Sequence, residues 1–217
     1  MQSYFIDYKQ LMLTLLHLPY LPNAYWFSIF LKSEEVMIEQ EENFVKSTDR
    51  NHCSIAGANG VLLLTIPLKG GRDTHRLYKE TQIAMVDNWA SRHWQSIRSA
   101  YGGAPFFEHY APKLEPYFLR KEYTSLFAFN QELLLVILAM LKVTKQITYT
   151  DSYQPIYEGI NDKRNLGFRQ AASAVKFPRY YQLFEARNGF QPNLSIIDLI
   201  FHLGPQAKDY LLQLNTA

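Results

Sequence analysis

The chain has a single cysteine, Cys53, among 217 residues. One thiol excludes an internal disulfide framework and fits a reducing compartment. No Cys-x-x-Cys or His-Glu-x-x-His spacing occurs, and the six histidines are scattered, so no metal site is expected. No glycine-rich turn leads into Gly-Lys-Ser/Thr, which excludes a P-loop, and no cofactor is expected. Charge of one sign is scarce as well. The 22 basic and 20 acidic residues leave a net charge of +2, without a basic run. That balance argues against general nucleic-acid binding. The wholly apolar stretch Leu133 to Leu141 is far shorter than the ~20 residues that span a bilayer. It reads as part of a buried helix, and no membrane span is expected. Met1 to Lys9 lack the basic start and apolar centre of a signal peptide, so a cytoplasmic location is expected.

What the chain holds instead is apolar and aromatic. Hydrophobic residues make up 47%, with 15 Tyr and 14 Phe. This supports a substantial core and one domain over residues 1–217. Apolar runs at Leu11–Leu16, Val36–Gln40, Val61–Leu68, Thr81–Met85 and Gln146–Thr150 predict strands. The Val61–Leu68 run suits a strand covered on both faces. With His52–Ala56 it predicts a hairpin around Gly57-Ala58-Asn59-Gly60. Helices are predicted at Ala24–Leu31, Asn88–Tyr101, Phe106–Leu119 and Ser125–Val143, the third despite Pro112 and Pro116. Asp87 is the expected N-cap of the second, and Gly102-Gly103 its stop. Ser195 and Asp198 predict a capping box for a helix over Ser195–Leu203, with Gly204-Pro205 opening a last helix. Gly159–Phe177 reads as a loop, and Tyr180–Glu185 as a return to the sheet. Alternating strands and helices predict an α/β fold: a mixed sheet with packed helices and a C-terminal helix pair.

Several residues are placed where chemistry is done. His17 directly follows the first strand, where ligands of α/β sheets bind. It suits a general base for an amine or hydroxyl, or else it pins the Pro19–Pro22 turn. Lys69-Gly70-Gly71-Arg72 follows a strand, and its backbone N–H groups and two cations suit a phosphate or carboxylate. A solvated hairpin explains the same tract. Lys46, Arg50 and Asn51 offer a second anion contact and an amide for sugar hydroxyls, or a surface loop. His93 shares a helical face with Trp89 and Ile97, so it is either a catalytic group or a core histidine. Trp94 and Tyr101 suit the apolar face of a sugar or simple core packing. Asp198 and His202, four residues apart, can pair on one face, but capping already accounts for Asp198. Cys53 reads as a buried small apolar group.

Three blocks, in order, carry a resemblance. The first is His17-Leu18-Pro19-Tyr20-Leu21-Pro22 with Tyr25-Trp26-Phe27. The second runs from Asn88-Trp89 through His93-Trp94 to Tyr101-Gly102-Gly103-Ala104-Pro105-Phe106-Phe107. The third runs from Pro192-Asn193 through Ser195 and Asp198 to His202-Leu203-Gly204-Pro205. Together they resemble the WbqC-like family, over roughly His17 to Pro205. Asp49-Arg50-Asn51 and Leu64-Thr65-Ile66-Pro67-Leu68-Lys69-Gly70-Gly71-Arg72 fit as well. The family usually opens His-Gln-Pro-Tyr; Leu18 stands here for glutamine and removes that amide. No family block falls in Asp151–Phe177. The family is associated with O-antigen and other surface-polysaccharide gene clusters. The resemblance therefore implies a transferase that adds glycine or another small acyl group to an amino sugar. Its partners would be a nucleotide-linked or lipid-linked amino sugar and an unidentified acyl donor. His17, with His93, would be catalytic. Tyr20, Lys46, Arg50, Asn51, Lys69, Arg72, Trp94 and Tyr101 would bind substrate. A non-catalytic sugar-nucleotide-binding or scaffold protein is the alternative.

Overall fold

The computed structural model describes residues 13–45, 47–70, 76–120, 122–166 and 175–215. Strands β1 (Leu13–His17) and β2 (Glu35–Glu39) run parallel, joined by helix α1 (Ala24–Lys32). Their apolar residues are continuous because both faces are covered, as parallel strands require; Leu15, Leu16 and Ile38 are wholly buried. Asn23 starts α1 by accepting the Trp26 N–H at 2.9 Å. Strand β5 (Ile147–Tyr149) extends the sheet beside β2, and the short β6 (Asn161–Asp162) lies beside β1. The order is β5-β2-β1-β6, parallel throughout. From β1 the chain steps outward through β2 to β5, then returns to the opposite side of β1. The crevice beyond the carboxyl ends of β1 and β6 is therefore the topological switch point of this sheet.

Among the described strands, antiparallel pairing occurs in a separate hairpin, β3 (His52–Gly57) and β4 (Gly60–Thr65). The turn fell where Gly57 and Gly60 predict it, and Gly60 takes the left-handed φ of 109° that glycine tolerates. The expectation of a strand running to Leu68 and covered on both faces is overturned. β4 ends at Thr65, and Val61, Leu62 and Leu63 are 47%, 41% and 57% exposed. Its only strand partner among the described residues is β3, because the hairpin stands outside the four-stranded sheet. Thr81–Met85 forms no strand either; Gln82 and Ile83 make only isolated bridges, to Ser125 and Leu68.

Helices α2 (Trp89–Tyr101), α3 (Phe107–Leu119) and α4 (Leu126–Met140) follow. α3 runs unbroken through Pro112 and Pro116, held by burial of Phe107, Tyr110, Ala111, Leu114 and Phe118. Asp87 does not cap α2. Asn88 takes the cap position, and both residues have left-handed φ, 54° and 49°, rather than the extended backbone that aims a cap side chain at free N–H groups. After the four-residue α5 (Glu185–Asn188), helices α6 (Ile196–Leu203) and α7 (Ala207–Gln213) form the expected C-terminal pair. The predicted capping box is absent. Ser195 Oγ donates to the Leu21 carbonyl at 3.0 Å, while Asp198 accepts from Tyr180 Oη at 2.5 Å and Gln182 Nε2 at 3.2 Å. Buried tertiary partners have taken both side chains from the helix end. Tyr180–Glu185 likewise joins no strand. α1 packs on α6 and α7, and α3 on α2, α4 and α6, around one continuous apolar core. No described helix is long and apolar enough to cross a membrane.

Candidate functional site

The switch-point crevice opens into a cleft of about 840 Å³. His17 lines it from the last position of β1, directly across from Glu39 at the last position of β2. The loop after β2 supplies Glu42, Thr48, Asp49 and Arg50; the hairpin supplies His52 and Cys53; the turn after β6 supplies Arg164. Three charged groupings organise this wall. First, His17 Nε2 lies 2.8 Å from Asp49 Oδ1. The approach is close but out of line for a hydrogen bond, and among the described residues neither ring nitrogen nor Asp49 Oδ2 has a hydrogen-bond partner. His17 is 1% exposed. A buried imidazole paired with a carboxylate, yet with an Nδ1 that makes no hydrogen bond among the described residues, requires an explanation. Asp49 also anchors the loop, its carbonyl accepting the Tyr20 N–H at 2.8 Å. Burial works against ionisation of its carboxyl, but the neighbouring His17 and Arg50 outweigh that and hold it below the usual carboxylate range.

Second, Arg50 Nε donates to Glu42 Oε1 at 2.6 Å, and its guanidinium lies 5.9 Å over the Tyr78 ring. Asn130 of α4 holds this loop through the Arg50 carbonyl, at 2.7 Å. Third, Arg164 grips Asp162 through Nε and Nη2, reaches buried Glu39 at 3.2 Å, and donates to the carbonyls of Gln154 and Pro155. Tyr153 and Tyr157 lie against its guanidinium, at 5.4 and 5.1 Å. Glu39 is further held by Thr150 Oγ1 at 2.7 Å. Sequence reasoning did not single out Glu39, Glu42, Asp162 or Arg164. Glu39 carried a usable signal, an acid at the end of an apolar strand as His17 is; Arg164 sits in a stretch without pattern.

The remaining sequence-derived candidates are spread over the fold. Tyr20 lines the cleft and bonds His93 Nδ1 through its hydroxyl, at 2.9 Å. His93 itself faces a smaller groove between β4 and α2. Burial pushes it down to about 4, so it stays neutral near pH 7. Asn51 is buried beneath the loop, donating to the Ile66 carbonyl at 3.1 Å, and is not in the cleft wall. Lys69 is exposed, outside the cleft, with Nζ 3.4 Å from Gln82 Oε1. Trp94 stacks with Phe107 and Phe118 and donates to Glu115 at 3.1 Å. Tyr101 is wholly buried, its hydroxyl accepting the Ala56 N–H at 3.1 Å. Lys46 and Arg72 lie outside the described residues. Cys53 lines the cleft, but burial pushes its thiol far up, so it is no thiolate nucleophile. His202 pairs with the Asp198 carbonyl at 2.8 Å and accepts the Leu183 N–H at 3.2 Å, a structural role outside the cleft. No group of three or more potential metal ligands occurs among the described residues.

The arrangement suits proton transfer. A carboxylate beside Nε2 favours the tautomer protonated there and leaves Nδ1 as the acceptor. Comparison with known proteins gives two results. A family model described as the WbqC-like protein family matches residues 19–177. The chain is also 25% identical, over 218 residues, to uncharacterized protein Rv1507c of Mycobacterium tuberculosis (strain ATCC 25618 / H37Rv), covering 88% of this chain and 94% of that protein. No solved structure matches.

Proposed function

Because the chain belongs to the WbqC-like protein family, we propose that it is a transferase of surface-polysaccharide synthesis that adds glycine or another small acyl group to an amino sugar. The observation that carries this reading is the buried His17–Asp49 pair at the switch point, with a ring nitrogen that makes no hydrogen bond among the described residues. The sugar's amine attacks the carbonyl carbon of an activated acyl donor. As the N–C bond forms, His17 Nδ1 accepts the amine proton, and the bond to the donor's leaving group breaks. Asp49 stabilises the resulting imidazolium, which returns the proton to the leaving group or to water. The amino sugar is nucleotide-linked or lipid-linked in this reading, and the donor is a thioester or acyl phosphate. Tyr20 and Arg50 border the acceptor, and Arg164 holds the turn after β6 in the cleft wall.

A second reading, sugar-nucleotide binding without turnover, is favoured by the absence of a competent nucleophile among the described cleft residues. The test is product analysis. Purified protein is mixed with nucleotide-linked amino sugars and activated glycyl donors, and the sugars are weighed by mass spectrometry. We expect an acylated sugar, with the rate falling about 10²–10⁴-fold in His17→Gln while sugar binding persists. Full activity in His17→Gln refutes the base assignment. Binding without product under every donor establishes the second reading.

A further inference from the structure

We infer that the free edge of β4 is a self-docking edge, where two copies of this chain pair as antiparallel strands about a two-fold axis at Leu62. The inference stands apart from the transferase reading. In an antiparallel hairpin, successive residues point their main-chain N–H and C=O alternately toward the partner strand and away from it. On β3 the outward groups are identified by their bonds. The Ser54 carbonyl accepts the Ser195 N–H at 2.8 Å, and the Ala56 N–H donates to Tyr101 Oη at 3.1 Å. Their partners in register are Leu63 and Val61. These two residues therefore point their N–H and C=O groups away from β3. Among the described residues, those groups make no hydrogen bond. Thr65, the next outward residue, is already engaged by His93. Natural edge strands are guarded against pairing by charge, by proline or by a cover. Gly60–Thr65 contains no charged residue and no proline, and Val61, Leu62 and Leu63 are 47%, 41% and 57% exposed.

The occupant that complements this edge is the same strand turned round. A two-fold axis at Leu62 sets Val61 opposite Leu63 of the second copy, and Leu63 opposite Val61 of the second copy. Each such pair exchanges two N–H···O bonds, so four hydrogen bonds satisfy every free group on both edges. Leu62 meets its own counterpart across the axis, and the exposed apolar side chains of both strands leave water together. A groove of about 320 Å³ between β4 and α2 runs beside this edge and gives the incoming strand its space. The outer edge of β3 is occupied by Ser195 and Tyr101, so pairing stops at two copies, as a closed two-fold does. The exposed apolar residues here are Val61, Leu62, Leu63, Met85 and Val86. They are far fewer than the roughly 20–30 residues that each partner of a standard interface supplies, so the dimer is weak and dissociates on dilution. Leu63 also lines the cleft, which places Val61 of the second copy beside the cleft wall.

The experiment is sedimentation equilibrium of the intact protein from dilute to concentrated solution. The weight-average mass should rise with concentration from one chain towards two and no further. Leu62→Asp sets two carboxylates against each other at the axis and should hold the mass at one chain throughout, with a thermal melt confirming the fold. Cross-linking reads the register. Leu62 lies about 4.5 Å from its counterpart, Cα to Cα, within disulfide reach. Val61 lies from its counterpart about 6.8 Å along the strand and about 4.8 Å across it, beyond the ~7 Å limit. On mild oxidation Leu62→Cys should give a covalent dimer and Val61→Cys should not. Cys53 is buried and should not contribute. A single-chain mass at every concentration, growth past two chains, or a dimer that survives Leu62→Asp would each overturn the inference. Equal cross-linking at the two positions, or none at Leu62, would do so as well. A chain that stays single, and whose Val61 and Leu63 amide resonances shift instead on adding an extended apolar peptide, would assign this edge to a different protein.

Discussion

Removing Arg164 should destabilise the protein through Glu39, which it leaves behind. Glu39 is 0% exposed and ends β2, so water cannot replace a lost partner there. Arg164 Nη1 lies 3.2 Å from Glu39 Oε2, and the same guanidinium holds Asp162 at 2.6 Å. Breaking a buried pair by deleting one partner costs about 3–5 kcal/mol, because the remaining charge is uncompensated. Two bonds soften the loss: Glu39 Oε1 still accepts from Thr150 Oγ1 and the Glu41 N–H. Arg164→Leu should therefore lie near the lower end, about 3 kcal/mol, or a fall in Tm of roughly 10 °C for a chain of this size. The assay is urea unfolding at pH 7 of wild type, Arg164→Leu, Glu39→Gln and the double variant. The double variant should be more stable than Arg164→Leu alone, because glutamine carries no charge to strand. A loss under about 1 kcal/mol would refute this, since it is what an exposed pair contributes. A double variant less stable than Arg164→Leu would refute it as well, and would assign Arg164 to packing between Tyr153 and Tyr157.

Three further outcomes are expected. His93 has its folded value pushed down to about 4, against ~6.5 unfolded. The unfolded chain therefore binds the proton first. Its contribution to stability is complete above pH ~6.5 and is lost as pH falls toward 4, about 2 kcal/mol of it by pH 5. Denaturant midpoints at pH 7 and pH 5 should separate more in wild type than in His93→Gln; an equal separation would show that His93 is not the group responsible. Ser195→Ala should lose about 1–3 kcal/mol by stranding the buried Leu21 carbonyl, with helix content by circular dichroism unchanged; a loss confined to helix content would restore a capping role. Phe201→Ala should lose about 3–5 kcal/mol, since the ring is wholly buried against Tyr101 and Phe107 at 5.3 and 5.0 Å; equilibrium unfolding with an unchanged m-value checks it, and a loss below 1 kcal/mol would place this ring outside the rigid core.

The parts of this fold legible in its sequence are those decided within a few residues. α1, α6 and the β3–β4 turn stand within a residue or two of their signals, and α4 within three, because caps, glycines and i, i+4 patterns act locally. His17 was legible for the same reason: an apolar run ending in histidine before Pro19 marks a strand's carboxyl end. What the local chain could not decide is who partners whom. Ser195 and Asp198 have the spacing of a capping box, yet Leu21, Tyr180 and Gln182 compete for them from elsewhere in the chain and win. The Val61–Leu68 run has the composition of a buried strand, and only the placement of the hairpin outside the sheet leaves it half exposed. The site is the extreme case. Arg164 meets Glu39 across 125 positions of chain, in a stretch with no periodicity, because β6 returns beside β1 after β2 and β5 have gone the other way. Strand order is settled by the free energy of the whole packed sheet, so the sequence by itself determined the strand, the histidine at its end and the loop carrying Asp49 and Arg50. Only the tertiary structure decided that these residues share one cleft with Arg164.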